Sequence, residues 1–249
     1  MLKRITLATL LCLLLSVPAY AHFGMVIPDK SVVRPESKTV QLDLSFSHPF
    51  EMVGMDLVKP EAFYVVYDGK KTDLLSSLKS TKVMDHPSWV ANYKVKRPGM
   101  YTFVMEPQAY AEPAEDNYII HYTKTVLSAF NEGEDWNTPI GLKTEIVPLT
   151  RPWGNYSGNV FQGMVLVDGK PAPYTRVEVE YYNKDKKFTA PEECMITQEV
   201  LCDGNGVFTV ACPKAGWWGF AALTDADYKI KGKDVELGAV LWTEMKSYK

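Results

Sequence analysis

Apolar and polar residues alternate with a period of two along much of the chain. From 40 to 48, Leu42, Leu44, Phe46 and His48 fall on one face and Gln41, Asp43, Ser45 and Ser47 on the other. That is the pattern of a strand with one face against a core. Pro49 cannot donate to a ladder and ends the strand, which leaves His48 last in the inward row. Residues 62–67 predict another strand, closed by a tight turn at Asp68-Gly69. Residues 73–79 hold the one helix-like stretch, of one or two turns. A surface turn at Asp85-His86-Pro87 leads into a strand over 89–95. Arg97-Pro98-Gly99 turns the chain into 100–106, where Tyr101, Phe103 and Met105 share a face.

The polar stretch 108–117, with Glu112, Glu115 and Asp116, reads as a long solvated loop. It feeds a strand over 118–126 in which His121 shares a face with Ile119 and Thr123. Residues 131–137 make a second acidic loop. Two prolines, two glycines and Arg151 in 148–158 predict a boundary between an N-terminal sandwich (22–150) and a C-terminal one (151–249). Beyond it, 160–167 and 176–182 read as a hairpin-like pair around Asp168-Gly169. Residues 199–202 and 207–212 read as a second hairpin around Asp203-Gly204-Asn205-Gly206. Gly216-Trp217-Trp218-Gly219-Phe220 opens a further strand, and 235–243 is a last strand free to return to either domain. Short aromatic and β-branched runs between turn signals predict an all-β fold of two β-sandwich domains, immunoglobulin-like or transthyretin-like.

Residues 1–21 carry the pattern of a cleaved signal peptide: Lys3 and Arg4, an apolar run over 5–17, and Ala19-Tyr20-Ala21. A periplasmic, exported product is therefore expected, cut after Ala21. The formal net charge of −3 argues against nucleic acid as a partner. Leu11 ahead of Cys12 is a poor lipoprotein site, and no later apolar run is long enough to span a bilayer. Cys194, Cys202 and Cys212 then remain. Export permits one disulfide among them, with the pairing open, and two thiols with a histidine make a minor zinc alternative.

Cleavage after Ala21 makes His22 the first residue. An N-terminal histidine brings two nitrogen donors, its α-amine and its imidazole, to one transition metal. All four histidines, His22, His48, His86 and His121, lie in the first half, and the second half has none. Glu51, Met52 and Met55 follow His48 in one loop, the methionines serving first as packing. No phosphate loop, GxSxG elbow or HExxH pair is present, and nothing marks a nucleophile, so a non-enzymatic role is expected.

Several of these stretches together resemble the periplasmic component of nickel/cobalt-type uptake systems, a group gathered under a domain of unknown function. They are Ala21-His22-Phe23-Gly24-Met25, His48-Pro49-Phe50-Glu51, Lys82-Val83-Met84-Asp85-His86 and Ile119-Ile120-His121-Tyr122-Thr123-Lys124. Asp203-Gly204-Asn205-Gly206-Val207-Phe208 and Gly216-Trp217-Trp218-Gly219-Phe220 extend the resemblance into the second half with motifs that Ig-like modules share widely. It implies a β-rich protein that binds Ni(II) or Co(II), with Cu(II) or Zn(II) as competing metals, and that works with the components of a membrane transporter. His22, His48 and His121 are the expected ligands, with Glu51 and His86 behind them. Two alternatives come from other classes. One is a copper-binding protein, or a copper oxidase built on an N-terminal histidine brace. The other is a structural β-sandwich module without a specific ligand.

Overall fold

The computed structural model describes residues 22–248; the signal-like segment lies outside the described residues. The first half forms β1 (Phe23–Pro28), β2 (Val32–Val33), β3 (Thr39–His48), β4 (Val53–Met55), β5 (Ala62–Tyr67) and β6 (Lys70–Asp73). It continues with β7 (Lys79–Val83), β8 (His86–Lys94), β9 (Gly99–Glu106), β10 (Tyr110–Glu112), β11 (Asn117–Ala129) and β12 (Thr144–Pro148). The second half adds β13 (Asn155–Tyr156), β14 (Val160–Val167), β15 (Lys170–Pro171), β16 (Arg176–Tyr181) and β17 (Gln198–Leu201). The chain ends with β18 (Val207–Ala211), β19 (Gly216–Asp225) and β20 (Val235–Lys246). Single 3-10 turns stand at Leu75–Ser77 and Glu193–Met195. The fold is all-β, as the alternation predicts, and no helix among the described residues is long and apolar enough to cross a membrane.

A long central sheet, ordered β17-β16-β19-β20-β11-β9-β5-β6, runs through both halves. Its seam is the parallel pairing of β11 with β20, from Tyr118↔Val235 to Thr125↔Trp242. A front sheet, β1-β3-β8-β7 with β4 on β3, covers one face of the first-half strands. A back sheet of β12, β14, β15 and β18 covers the opposite face of the second-half strands. Alternation along β11 and β20 divides the two cores. Ile119 and Leu127 join Leu42, Leu44, Phe63 and Phe103 in the first, while Val126, Ala239 and Leu241 join Phe161, Phe208 and Phe220 in the second. Both strands are covered on both faces over most of their length. For that reason 237–242 reads Leu-Gly-Ala-Val-Leu-Trp without alternation, as double-sided strands do.

Three local expectations are corrected. The stretches 160–167 and 176–182 are not a hairpin: β14 pairs with β12, β15 and β18, whereas β16 crosses to β17 and β19. Likewise β17 pairs with β16 and β18 with β14, so the Asp203–Gly206 turn joins two sheets. These turns span the gap of a sandwich, because each flanking strand has an apolar face to bury in the same core from opposite sides. Finally, the turn near His86 falls earlier, at Met84 and Asp85, whose φ values are 51 and 65, and His86 is already the first residue of β8. The stretch 148–158, expected as a boundary, contains β13, which pairs with β20.

Candidate metal centre

Antiparallel pairing of β1 with β3 sets Phe23 opposite Ser47. One step further along that register, the rings of His22 and His48 lie 4.7 Å apart between centroids. Phe46 stacks on His22 at 5.7 Å and meets His121 edge-on at 5.6 Å. Of the three histidines expected as ligands, His22 and His121 therefore flank one aromatic ring, and His48 joins the group through its contact with His22.

His121 is 1 % exposed. Its Nδ1 accepts the Gly24 N–H at 3.3 Å, and its Nε2 lies 3.6 Å from Glu236 Oε1, beyond hydrogen-bond reach. Nε2 is the only buried side-chain nitrogen among the described residues without a hydrogen-bond partner. Glycine makes this placement possible. In the β11–β20 register His121 faces Gly238, and a Cβ at 238 would come within 2.2 Å of His121 Cδ2. On the other side, a Cβ on Gly24 would meet Thr123 Oγ1 at 2.2 Å.

Two carboxylates that the sequence reading left in solvent belong to this cluster. Glu112, buried on β10, has Oε2 2.9 Å from His22 Nε2, and its Oε1 accepts the Ala114 N–H at 2.9 Å. Glu236 reaches His121 from β20. Burial works to raise its carboxyl, but the neighbouring His121 and His22 outweigh this and hold it below the usual carboxylate range. His22 is shifted down, first by burial and then by His121, against the pull of Glu112 and Glu236. Its imidazole is thus kept neutral, the form that binds metal. With Nε2 on Glu112, the lone pair left to His22 is that of Nδ1, on the side of its own α-nitrogen.

The remaining expected donors stand apart from this group. His86 Nδ1 pairs with Asp56 Oδ1 at 2.8 Å on the surface. Glu51 sits in the turn after β3 near Glu180, lining a cleft with Asn183. Cys194, Cys202 and Cys212 are all free. Burial pushes the Cys202 and Cys212 thiols up to about 11 and about 12, so they are poor metal ligands at neutral pH. Among the described residues no three His, Cys, Asp or Glu side chains already form a coordination sphere. The cluster is a set of nearby donors with Glu112 holding His22.

The turn that follows His48 is anchored by a buried acid. Glu180 on β16 accepts the Phe50 N–H at 3.1 Å and a hydrogen bond from the Thr197 hydroxyl. Burial pushes its carboxyl from about 4.5 up to about 8. The folded state therefore keeps a proton that the unfolded chain gives up between those values. Stability contributed by this group is full below about 4.5 and is lost as pH rises towards about 8. Glu180→Gln carries no charge, accepts the Phe50 N–H through its amide oxygen and donates its amide N–H to the Thr197 hydroxyl oxygen, reversing that second bond. It is expected to match the wild type at pH 5 and to exceed it by roughly 2–4 kcal/mol at pH 8.5 in urea unfolding. An equal difference at both pH values would contradict this.

Residues 19–226 match the family model described as "Domain of unknown function (DUF4198)", and the chain belongs to that family. No curated protein matches the sequence. Among solved structures, the titin Ig tandem domains A164-A165 are similar at 10% identity, over 92% of this chain and 100% of that one, with a TM-score of 0.22. The fibronectin(III)-like modules of Clostridium thermocellum CbhA follow at 8% identity, over 90% and 95%, with a TM-score of 0.24. A Bacteroides uniformis protein described as carbohydrate-binding matches at 10% identity, over 86% and 96%, with a TM-score of 0.27.

Proposed function

We propose that this is an exported transition-metal-binding protein that captures Ni(II) or Co(II) at the His22–His48 end and passes it to a membrane uptake transporter. The observation that carries the reading is the pairing of His22 with His48 while Glu112 occupies His22 Nε2. Cleavage after Ala21 turns the His22 nitrogen into a free amine. That amine and Nδ1 close a six-membered chelate on a metal, and the imidazole of His48 is the next donor. Glu112 plays the part of the carboxylate that orients a ligating histidine through its other nitrogen. His121 lies beneath. With Nδ1 accepting the Gly24 N–H, it supports the strand that follows His22.

A set of neutral nitrogen donors suits divalent nickel, cobalt, copper and zinc. The resemblance of the histidine-bearing stretches supports nickel and cobalt as the cargo. Few protein donors leave the ion exchangeable, which suits hand-over to a transporter rather than permanent storage.

Calorimetric titration of the mature, tag-free protein with Ni(II) and Co(II) tests this. One site per chain is expected, and His48→Ala is expected to weaken it by about tenfold or more, since each donor is one of few. Affinity unchanged in His48→Ala would remove this end of the molecule as the site.

A further inference from the structure

The back face of the central sheet is covered by two different means. The second-half strands lie under the sheet of β12, β14, β15 and β18, whereas Tyr64 on β5 and Val104 on β9 pack against Ile140 and Leu142 of the segment before β12. Between that segment and the strands a cleft of about 760 Å³ remains, within the roughly 300–1,000 Å³ of small-molecule pockets. Val66 and Val126 both stand opposite Thr102, and Val126 is five residues from His121. By alternation the cleft therefore lies on the face turned away from the histidines.

The floor of the cleft is apolar, with Tyr64, Val66, Met100 and Ile140. Its rim carries four carboxylates, Asp68, Glu106, Glu134 and Asp135, and one ammonium, Lys71. The carboxylates stand at both ends. Glu106 closes β9, while at its start a Cβ on Gly133 would lie 3.3 Å from Met100 Cβ, which brings Glu134 and Asp135 to that end. At about 3.4 Å per residue, Met100 and Glu106 are about 20 Å apart along β9. The chain itself supplies a cation at the Glu106 end. Lys71 Nζ stands 3.4 Å from the centre of the Tyr64 ring and 3.7 Å from Glu106 Oε1, and the Tyr64 hydroxyl bonds the same carboxylate. An aromatic face beside a carboxylate is a seat for an ammonium. The Lys71 side chain is 57 % exposed and free to swing out to water.

We propose that this cleft binds a linear aliphatic polyamine. One ammonium takes the place of Lys71 between Tyr64 and Glu106, the methylenes lie along Val66, Met100 and Ile140, and a further ammonium meets Glu134 and Asp135. A compact cation reaches one end at a time and leaves the apolar floor in water. An exposed ion pair is worth at most about 1 kcal/mol, so useful affinity requires several joined on one chain. The cleft and the candidate metal centre lie on opposite faces, so either stands without the other.

Calorimetric titration of the mature, metal-free protein with spermine at low ionic strength tests this, with 1,3-diaminopropane and Mg(II) as comparisons. One spermine per chain is expected, bound about tenfold or more tighter than either comparison, because only the long chain engages both ends. Glu106→Gln keeps an acceptor for the Tyr64 hydroxyl, and Asp135→Asn suits the φ of 56 at that position. Each should weaken spermine about fivefold, the scale of one exposed ion pair. Lys71→Gln removes the resident ammonium and should tighten binding about threefold. Lys70→Gln, the same charge change on the other face of β6, should leave it unchanged. Equal effects from the two lysine variants, or Mg(II) binding as tightly as spermine, would reduce the cleft to a diffuse acidic surface and overturn the proposal. A peptide of three lysines binding more tightly than spermine would overturn it in favour of a protein partner. No saturable spermine binding would overturn it outright.

Discussion

One alanine placed ahead of His22 in the mature protein is expected to lower its Ni(II) affinity by about a hundredfold or more, close to 2.7 kcal/mol. The insertion converts the His22 amine into an amide, which holds its proton near neutral pH, and so removes the chelate ring while leaving every side chain in place. His22 Nε2 remains committed to Glu112, so the imidazole offers Nδ1 as before, now as a single donor. The loss should exceed that from His48→Ala, because two donors held on one residue bind with the second already positioned. The measurement is calorimetry on both forms, each with its N-terminus confirmed by mass spectrometry. Binding that survives the extra alanine would shift the site to His48, His121 and the two carboxylates, Glu112 and Glu236.

Much of this arrangement is written in the chain at the level of strands and much less at the level of partners. Alternation over 40–48 places His48 on the inward face of β3, and mid-strand His121 follows from 118–126 in the same way. That β1 lies antiparallel on β3, one register step from bringing His22 against His48, depends on the sheet as a whole, and periodicity carries no register information of this kind. The same limit explains the two supposed hairpins. A turn signal such as Asp203-Gly204-Asn205-Gly206 marks where the chain reverses, and whether it reverses within a sheet or between sheets is decided by the core it closes.

The missed carboxylates have separate causes. Glu112 lies in a polar, proline-bearing stretch whose short β10 is too brief for a periodic signal, and its burial comes from pairing with Tyr118–Asn117 of β11. Glu236 is visible only once β20 is known to run beside β11. The continuous apolar run 237–242 was the available clue, since a strand buried on both faces belongs in the interior of a sheet rather than at the edge of a second domain. In contrast, Glu51 follows His48 by three residues and lies near Glu180, while the His86 side chain pairs with Asp56.

Lys124→Met is expected to destabilise the fold by about 3–5 kcal/mol, the usual cost of stranding one member of a buried ion pair. Lys124 lies on β11, three residues beyond His121, and its Nζ is 2.5 Å from Glu145 Oε1. Both side chains are almost fully buried. Burial pulls the lysine down from its ordinary range, and Glu145 opposes that pull. The carboxylate also accepts the backbone N–H groups of Ile140 and Gly141 at 3.0 Å each, which ties the loop before β12 to the centre of the shared sheet. Methionine fills the space of the lysine stem but leaves the carboxylate with backbone donors alone and no counter-charge. The pair Lys124→Met with Glu145→Gln keeps an acceptor for those amides and removes the charge. It is expected to recover more than half of the loss, as neutral replacements of buried pairs do. Urea unfolding of the wild type, the single variant and the double variant at pH 7 measures this directly. A single variant within about 1 kcal/mol of the wild type would mean that the Ile140 and Gly141 amides already satisfy Glu145. Strand β11 would then be held by its pairing with β20 and β9 rather than by the ion pair beneath it.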